Sequence, residues 1–285
     1  MVCRTADRAD STTGAGPSVE NAALEHRCSL SSLLRSFAGE AAAAAVLEDR
    51  YFPVRPVPGG AALVHEEGTF RHLFFVQSGT FKFARCDEEG YEQVLGFAVR
   101  GDMIGMDGIA NGRYTTSVIA LEDSRAAVVA FSELRGLEAD VPAMQGFLHR
   151  CASREVRRGL DALQLVCAVG ADVRLARFLL QMSERNALIG HSGRRFVLRM
   201  SRRDIASYLG LAHETVSRAF TALAQGGYLT VSQRAIEIVD IEGLQSFQRL
   251  TRRTAELDAP RPLPGMATDA ADFASPSALG DCAVA

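Results

Sequence analysis

Three polar residues of types that can read DNA base edges lie close together in the C-terminal third of the chain. Glu214, Ser217 and Arg218 are spaced i, i+3 and i+4, so on a helix they share one face. An arginine can bond guanine O6 and N7, a glutamate can accept a bond from cytosine N4, and a serine can bond several bases. The spacing therefore predicts that these three side chains contact bases in the major groove of DNA.

The segment around them predicts two short amphipathic helices that meet at Gly210. Ser201 stands before an acidic first turn, as a helix N-cap does, and Gly210 permits the left-handed conformation that ends a helix. In the second helix Val216, Phe220 and Leu223 supply the buried face. Two helices crossing at a short turn are typical of a helix-turn-helix, and an ordinary helical hairpin on a larger core is the alternative.

Further residues of this region are predicted to contact phosphates or to position the protein on DNA. Two alternating segments, 228–231 and 235–239, predict a β-hairpin that forms a wing beside the second helix. Between Arg194 and Arg234 there are seven arginines, no lysine and two acidic residues, although the whole chain has a formal charge of -3. The expected contacts are Ser201, Arg202, Arg203, His213, Thr215, Thr221, Ser232, Gln233 and Arg234.

A helical pattern begins near Pro142 and continues to about residue 170. Apolar residues recur in it at spacings of three and four, and Val156, Leu160, Leu163 and Cys167 form its second half. Such a stripe is either part of a core or the seam between two helices, and the charged residues that flank it favour the seam. We therefore predict that these four residues hold a homodimer together.

The chain before this helix predicts a small antiparallel β-roll. From Phe52 to about Phe131, short apolar or alternating segments are separated by turn signals such as Ser78-Gly79 and Glu89-Gly90, at intervals of roughly 8 to 12 residues. Both ends of the chain are rich in small and polar residues without periodicity, which predicts disordered tails at 1–22 and 251–285.

The segment "MSRRDIASYLGLAHETVSRAFTALAQGGYLTV" resembles the CRP/FNR superfamily of bacterial transcription regulators, and the resemblance extends over roughly residues 28 to 248. "ETVSR" is closest to the FNR-type branch, which includes FixK-like proteins. For that branch the resemblance implies a palindrome of the TTGAT-N4-ATCAA type, read by Glu214, Ser217 and Arg218, and contact with RNA polymerase, usually in activation. Ala212 departs from the threonine N-cap usual in the branch, which costs the helix about 1 kcal/mol.

The fold expected from the pattern and the resemblance is α+β. It comprises a cyclic-nucleotide-binding-like antiparallel β-roll at 23–141, a long dimerisation helix at 142–170 and a C-terminal winged helix-turn-helix at 171–250.

The residues disfavour each effector that the resemblance suggests, so we predict no cofactor and no metal site. Only Cys28 matches one of the four cysteines of an iron-sulfur cluster, and the other positions fall on Glu25, Leu34 and Ala127. For cyclic AMP, the usual glutamate is absent and Asp107 would repel a phosphate. Haem would need a ligand such as His65, His72 or Cys86. A regulator that responds to a cyclic nucleotide, to haem or to thiol oxidation, and an interaction module that does not bind DNA, remain as alternatives.

Several classes of protein are excluded by what the sequence lacks. It holds no nucleotide-binding loop, metalloprotease or nucleophile-elbow motif, which predicts that it is not an enzyme. Its apolar stretches are shorter than the roughly 20 residues of a membrane span. The six cysteines form no C-x-x-C pair and the N-terminus has no signal-peptide pattern, so we expect a reduced, cytoplasmic protein.

Overall fold

The computed structural model describes residues 27–44, 49–141, 143–167 and 170–249. Both predicted tails, 1–22 and 251–285, lie outside these residues, and the predicted division of the chain into segments stays a prediction. In chain order the described residues form a β-roll with short helices, one long helix and a winged helix-turn-helix.

The β-roll consists of two antiparallel sheets. Its strands are β1 (Arg27–Ser29), β2 (Tyr51–Val57), β3 (Ala62–Val64), β4 (His72–Ser78), β5 (Thr80–Cys86), β6 (Glu92–Val99), β7 (Met103–Ile104), β8 (Ser117–Ala120) and β9 (Ser124–Ala130). They pair in the orders β1-β2-β9-β4-β7 and β3-β8-β5-β6. Four short helices accompany them: α1 (Leu30–Ala38), α2 (Glu40–Ala44), α3 (Gly108–Asn111) and α4 (Phe131–Asp140). These four short helices were not predicted.

Successive side chains of β4 are buried in two different cores. Phe74 and Val76 are buried between the two sheets, together with Phe81 of the second sheet. Leu73 and Phe75 are buried on the opposite face, against the helices that cover the first sheet. Successive side chains of a strand point to opposite faces, so one strand serves both cores.

The turn between β4 and β5 requires glycine. Gly79 has a φ of 88°, and a Cβ atom there would lie 2.0 Å from Oγ of Ser124. Only glycine avoids both the left-handed strain and this overlap. The turn signal that the sequence places at Ser78-Gly79 therefore marks a real chain reversal.

The long helix α5 (Ala143–Val166) has two different halves. Its first half buries Met144, Phe147 and Cys151 against the roll. In its second half Val156, Leu160 and Leu163 are 58–66% exposed. The apolar stripe predicted from the sequence thus divides into a part that belongs to the roll's core and a part that no described residue covers.

The winged helix-turn-helix follows as α6 (Ala171–Leu188), β10 (Arg195–Val197), α7 (Arg202–Leu209), α8 (His213–Gln225), β11 (Leu229–Ser232), β12 (Ala235–Ile238) and α9 (Ile241–Phe247). Its strands form an antiparallel sheet in the order β10-β12-β11. Its core also contains Val94 and Phe97 of the roll, so the two regions share one apolar cluster. The predicted α+β class, with an antiparallel roll and a winged helix-turn-helix, is confirmed.

Among the described residues, no helix combines the length and the apolar character needed to span a membrane.

Candidate DNA interface

The first helix of the helix-turn-helix, α7, is fixed at both ends by its own sequence. At its start the Ser201 hydroxyl accepts a bond from the Asp204 N–H at 3.1 Å, and the Asp204 carboxylate accepts one from the Ser201 N–H at 2.8 Å. At its end Gly210 adopts a φ of 62°, and its N–H bonds Ala206 and Ser207 carbonyls. The predicted N-cap and left-handed stop are confirmed, and the reciprocal Asp204 bond makes the start a capping box.

The second helix, α8, buries one face and leaves the other open. Val216, Phe220 and Leu223 are buried, as the spacing predicts. Glu214 and Arg218 are exposed on the opposite side, and Ser217 lies between them half-buried. The structure therefore brings the three predicted base readers together on one accessible surface, which we call the recognition face.

Hydroxyl groups on α8 are oriented by its own backbone. Ser217 Oγ donates to the His213 carbonyl at 3.1 Å, and Thr221 Oγ1 donates to the Ser217 carbonyl at 3.2 Å. Because the Ser217 hydroxyl proton is used within the helix, its oxygen remains as an acceptor. In this rotamer it suits the amino groups of adenine or cytosine rather than the acceptors of guanine.

The N-terminus of α8 has no side-chain cap. Ala212 occupies the N-cap with an extended backbone and cannot accept a bond from the first turn. The first N–H groups are therefore free for solvent or for an anion, a property that helix N-termini use toward phosphate. His213 and Thr215 lie in this first turn, and His213 is exposed.

Arg202 lies in the packing between the two helices. Its guanidinium carbon is 3.2 Å from the centroid of the Phe220 ring, and its buried Nη1 atom has no hydrogen-bond partner among the described residues. Burial lowers the pKa of the Arg202 guanidinium. The structure thus gives Arg202 a contact with the recognition helix, whereas Arg203 beside it is exposed.

The wing turns at Gln233, which has a φ of 55°. Ser232, Gln233 and Arg234 are all exposed at its tip, as a phosphate-contacting loop requires. Arg234 Nη1 donates to the Arg199 carbonyl at 3.3 Å, which holds the side chain against the sheet.

Ion pairs neutralise part of the basic segment. Arg195 pairs with Glu237 at 2.6 Å, and Arg199 pairs with Glu122 of the roll at 3.1 Å. The count of seven arginines therefore overstates the charge offered to DNA, and Arg203, Arg218 and Arg234 are the exposed arginines nearest to the helix-turn-helix and wing tip.

A buried carboxylate that the sequence did not single out joins three parts of the chain. Asp102, between β6 and β7, forms ion pairs with Arg158 of α5 and Arg185 of α6. Its Oδ2 also accepts a bond from the Val99 N–H at 2.9 Å. These partners lie 56 and 83 residues away in the chain, so no local pattern could reveal them.

The helix-turn-helix and the roll each match a known domain. Residues 173–247 match the Crp-like helix-turn-helix domain, and residues 54–140 match the cyclic nucleotide-binding domain. The transcriptional regulatory protein btr of Bordetella pertussis is 36% identical over 191 residues, 67% of this chain and 79% of that protein. The transcriptional activator protein FnrA of Stutzerimonas stutzeri is 34% identical over 217 residues, 76% of this chain and 89% of that protein.

This chain belongs to the CRP/FNR family of transcriptional regulators. The solved structure of FixK2 from Bradyrhizobium japonicum has the same fold, with a TM-score of 0.64 and 26% identity over 70% of this chain and 98% of that chain. The Crp-like helix-turn-helix domain is the DNA-binding domain of this family, and α7 and α8 are its helix-turn-helix here.

The iron-sulfur cluster that the resemblance to FNR-type proteins suggests does not fit the described residues at the matching positions, and Glu25 lies outside the described residues. Leu34 and Ala127 are apolar and fully buried, so neither can bind iron. Burial raises the pKa of the Cys28 thiol to about 11, which disfavours the thiolate that iron needs. Among the described residues, no group of three or more His, Cys, Asp or Glu side chains is arranged to hold a metal ion.

The segment that would hold the phosphate of a cyclic nucleotide is occupied by its own bonds. Asp107 Oδ2 accepts bonds from Thr115 N–H at 2.8 Å and from Thr115 Oγ1 at 2.6 Å. Arg113 is exposed, and its Nη1 donates to the Glu67 carbonyl at 2.9 Å. In the segment where the resemblance places the phosphate, Asp107 supplies a carboxylate and Arg113 is bonded to the Glu67 carbonyl, so these residues do not fit a cyclic nucleotide phosphate.

The candidate haem ligands and redox thiols are scattered. His65 and Cys86 are exposed, and His72 is half-buried at the start of β4. Cys151 is buried in the roll's core, where burial raises the pKa of its thiol to about 12. Cys86 and Cys167 are the exposed thiols among the described cysteines, and Cys167 lies at the end of the apolar stripe of α5.

Proposed function

We propose that the protein is a homodimeric activator that binds a palindrome of the TTGAT-N4-ATCAA type and contacts RNA polymerase in the cytoplasm. It has no catalytic activity in this proposal. The observation that supports it is the recognition face of α8, where Glu214, Ser217 and Arg218 are accessible together on a packed helix. These side chains can bond cytosine, an adenine or cytosine amino group, and guanine, respectively.

The exposed half of α5 supports the dimer. Val156, Leu160 and Leu163 form a stripe at helical spacing that no described residue covers. Cys167 continues the stripe and is also exposed. A second copy of α5 related by a two-fold axis would bury this stripe against itself, and the two recognition helices would then face successive major grooves. The activator role is supported by the printed name of the relative FnrA, a transcriptional activator protein.

We also propose that regulation needs neither an iron-sulfur cluster, nor cyclic AMP, nor haem. The apolar residues Leu34 and Ala127 support this for the cluster. The bonds of Asp107 to Thr115 support it for cyclic AMP. For haem, the support is that His65, His72 and Cys86 are spread over three different strands or turns. The spectrum and metal content of protein purified without oxygen test the cluster and haem, and calorimetric titration with cyclic AMP tests the nucleotide.

Fluorescence anisotropy at one fixed salt concentration tests the DNA claim. A duplex with the TTGAT-N4-ATCAA palindrome is compared with a scrambled duplex of equal length and composition. We expect affinities that differ by about a thousandfold, the lower end for specific over non-specific sites. Equal affinities would contradict the proposed function and favour a protein-interaction module. Analytical ultracentrifugation of the same sample measures the dimer independently of DNA.

A further inference from the structure

The first helix of the helix-turn-helix is bound to the roll of the same chain by polar contacts. Ser207 of α7 accepts a bond at Oγ from the Val94 N–H of β6 at 2.8 Å, and its carbonyl accepts one from Gln93 Nε2 at 2.6 Å. Lys82 of β5 forms an ion pair with Asp204 at 3.1 Å and a second one with Glu92. The Lys82 and Asp204 side chains are only 13% and 14% exposed. We call this set of contacts the β6–α7 interface.

Aromatic packing continues the same interface beneath the polar contacts. The ring of Phe97 in β6 meets the ring of Tyr208 in α7 edge to face, with centroids 5.3 Å apart. Phe178 of α6 packs on both rings, at 6.1 Å from Phe97 and 5.9 Å from Tyr208. Arg185 of α6 also donates to the Phe97 carbonyl at 3.0 Å. The winged helix is therefore attached to the roll through two of its helices.

The surroundings of the Lys82–Asp204 pair favour the charged form of both residues. Burial opposes the charge on Lys82, but the carboxylates of Glu92 and Asp204 outweigh it and raise the lysine's pKa. Burial likewise opposes the charge on Asp204, but bonds from Ser201 and the Lys82 ammonium outweigh it and lower the carboxyl's pKa. Since Asp204 also caps α7, the ion pair connects the roll to the start of the helix-turn-helix.

The recognition helix α8 and the long helix α5 are connected directly and through the roll. At the direct connection, Leu165 of α5 is buried in the core of the winged helix, and Arg177 of α6 donates to the Gln164 carbonyl at 3.2 Å. The second connection passes through the roll, because Asp102 binds Arg158 of α5 while β6 binds α7. The direct connection lies at one end of α5, and the contacts with the roll restrict rotation of the winged helix about that end.

The β6–α7 interface leaves the recognition face free. It uses Asp204, Ser207 and Tyr208 on the side of α7 that packs on the roll. Glu214 and Arg218 of α8 remain exposed in the same structure. The attached arrangement is therefore compatible with DNA binding and requires no release of α7.

We propose that the β6–α7 interface sets the spacing between the two half-sites that the dimer accepts. This inference rests on the proposed function, because it needs a dimer and a palindrome. In a two-fold dimer the distance between recognition helices must match the half-site spacing. A loosely attached recognition helix tolerates several spacings, since it can reach each half-site, and a fixed one accepts a single spacing. Lys82, Gln93 and Ser207 are thus positioning residues that determine specificity without contact to DNA.

The test measures affinity for duplexes that keep both half-sites but change the spacer from four to three or five base pairs. Wild-type protein is expected to prefer the four-base-pair spacer by about tenfold. Lys82→Glu, which places a third carboxylate beside Asp204 and Glu92, is expected to reduce this preference to about twofold. Its affinity for an isolated half-site should remain within about twofold of wild type.

Matched variants distinguish an effect of the β6–α7 interface from an effect of the charge change alone. Arg85→Glu makes the same charge change on the same strand, but Arg85 pairs with Glu66 of the roll at 2.8 Å and lies outside the interface. It should keep the wild-type spacer preference, as should the conservative Lys82→Arg. Gln93→Ala removes one neutral bond of the interface, and it gives an independent variant with a smaller loss of preference if Lys82→Glu does not fold.

Amide hydrogen exchange at Val94 reports the interface without DNA, because that N–H donates to Ser207. Faster exchange at Val94 together with an unchanged spacer preference in Lys82→Glu would overturn the inference. A wild-type protein that binds the palindrome but accepts all three spacers equally would overturn it as well, with the proposed function intact. Wild-type protein that binds no palindrome above the scrambled duplex would overturn the proposed function and this inference together.

Discussion

The recognition face and residues 107–115 of the roll, which we call the phosphate-site segment, differ in whether their charged side chains are bonded within the protein. Glu214 and Arg218 of α8 are exposed, and no described ion pair joins either of them to a neighbour. In the roll, Asp107 is bonded twice by Thr115, and Arg113 is bonded to the Glu67 carbonyl. Exposed polar groups without ion pairs can bind a partner, whereas groups bonded to each other stabilise the fold. The polar groups of the recognition face are thus available to a partner, whereas those of Asp107 and Thr115 are bonded to each other.

This comparison predicts which property each variant changes. Substitutions on the recognition face or on the exposed stripe of α5 should change DNA affinity and leave the free energy of unfolding nearly unaltered. Substitutions in the phosphate-site segment should do the reverse.

Leu160→Glu should have the largest effect on DNA affinity. Leu160 is 58% exposed in the middle of the stripe on α5, so the change costs the monomer little but buries a charge in the proposed dimer. Loss of the dimer removes the gain from two linked sites, about a hundredfold or more in affinity for the palindrome. Sedimentation and anisotropy on one sample check it.

Leu188→Glu is the control for that variant, because it makes the same change at a leucine that is 86% exposed at the end of α6, outside the stripe. It should stay dimeric and bind normally. A Leu160→Glu protein that remains dimeric at micromolar concentration would show that α5 is not the dimer contact.

Arg218→Ala tests whether the recognition face reads sequence. Loss of a bidentate guanine contact costs about 1–3 kcal/mol on the cognate duplex and relaxes discrimination at one base pair. Arg234→Ala, at the wing tip, should instead weaken binding to cognate and scrambled duplexes alike and lower the salt dependence. Competition against duplexes substituted at each position measures both. Equal losses on all sequences for both variants would mean that Arg218 contacts phosphate rather than a base.

Asp107→Ala tests whether the bonds of the phosphate-site segment stabilise the fold. The change removes a charged acceptor that holds Thr115 N–H and Oγ1, and such bonds contribute about 1.5–3 kcal/mol together after partial exposure is considered. We expect a lower free energy of unfolding by urea and an unchanged affinity for the palindrome. If Asp107→Ala instead gains cyclic AMP binding by calorimetry, the segment is an effector site closed by this one carboxylate.

Much of the fold was predictable because its signals are local. The capping box at Ser201, the stop at Gly210 and the inward face of Val216 and Phe220 each follow from residues within a few positions of one another. The roll's strands were predictable from alternation and from turn glycines such as Gly79, where a Cβ atom would overlap Ser124.

The remaining features depend on residues far apart in the chain. Lys82 and Asp204 are separated by 122 positions, so no spacing rule connects them. Arg199 is one of the seven arginines counted in the basic segment, and Glu122 of the roll pairs with it. Arg202 is predicted to contact phosphate, which stays a prediction, and its stacking on Phe220 was not predicted. The arginines can be counted from the sequence, but the side chains that contact each of them are known only from the fold.

Ala212→Thr gives the smallest effect and the sharpest distinction between stability and recognition. Ala212 is the uncapped N-cap of α8, and a threonine hydroxyl there can accept a bond from a first-turn N–H, worth about 1 kcal/mol. Urea unfolding should show the gain. If the uncapped N–H groups also bind a DNA phosphate, the new hydroxyl competes for them and affinity falls as stability rises, most clearly at low salt. Gains in both properties would mean that the first turn of α8 does not contact the DNA backbone.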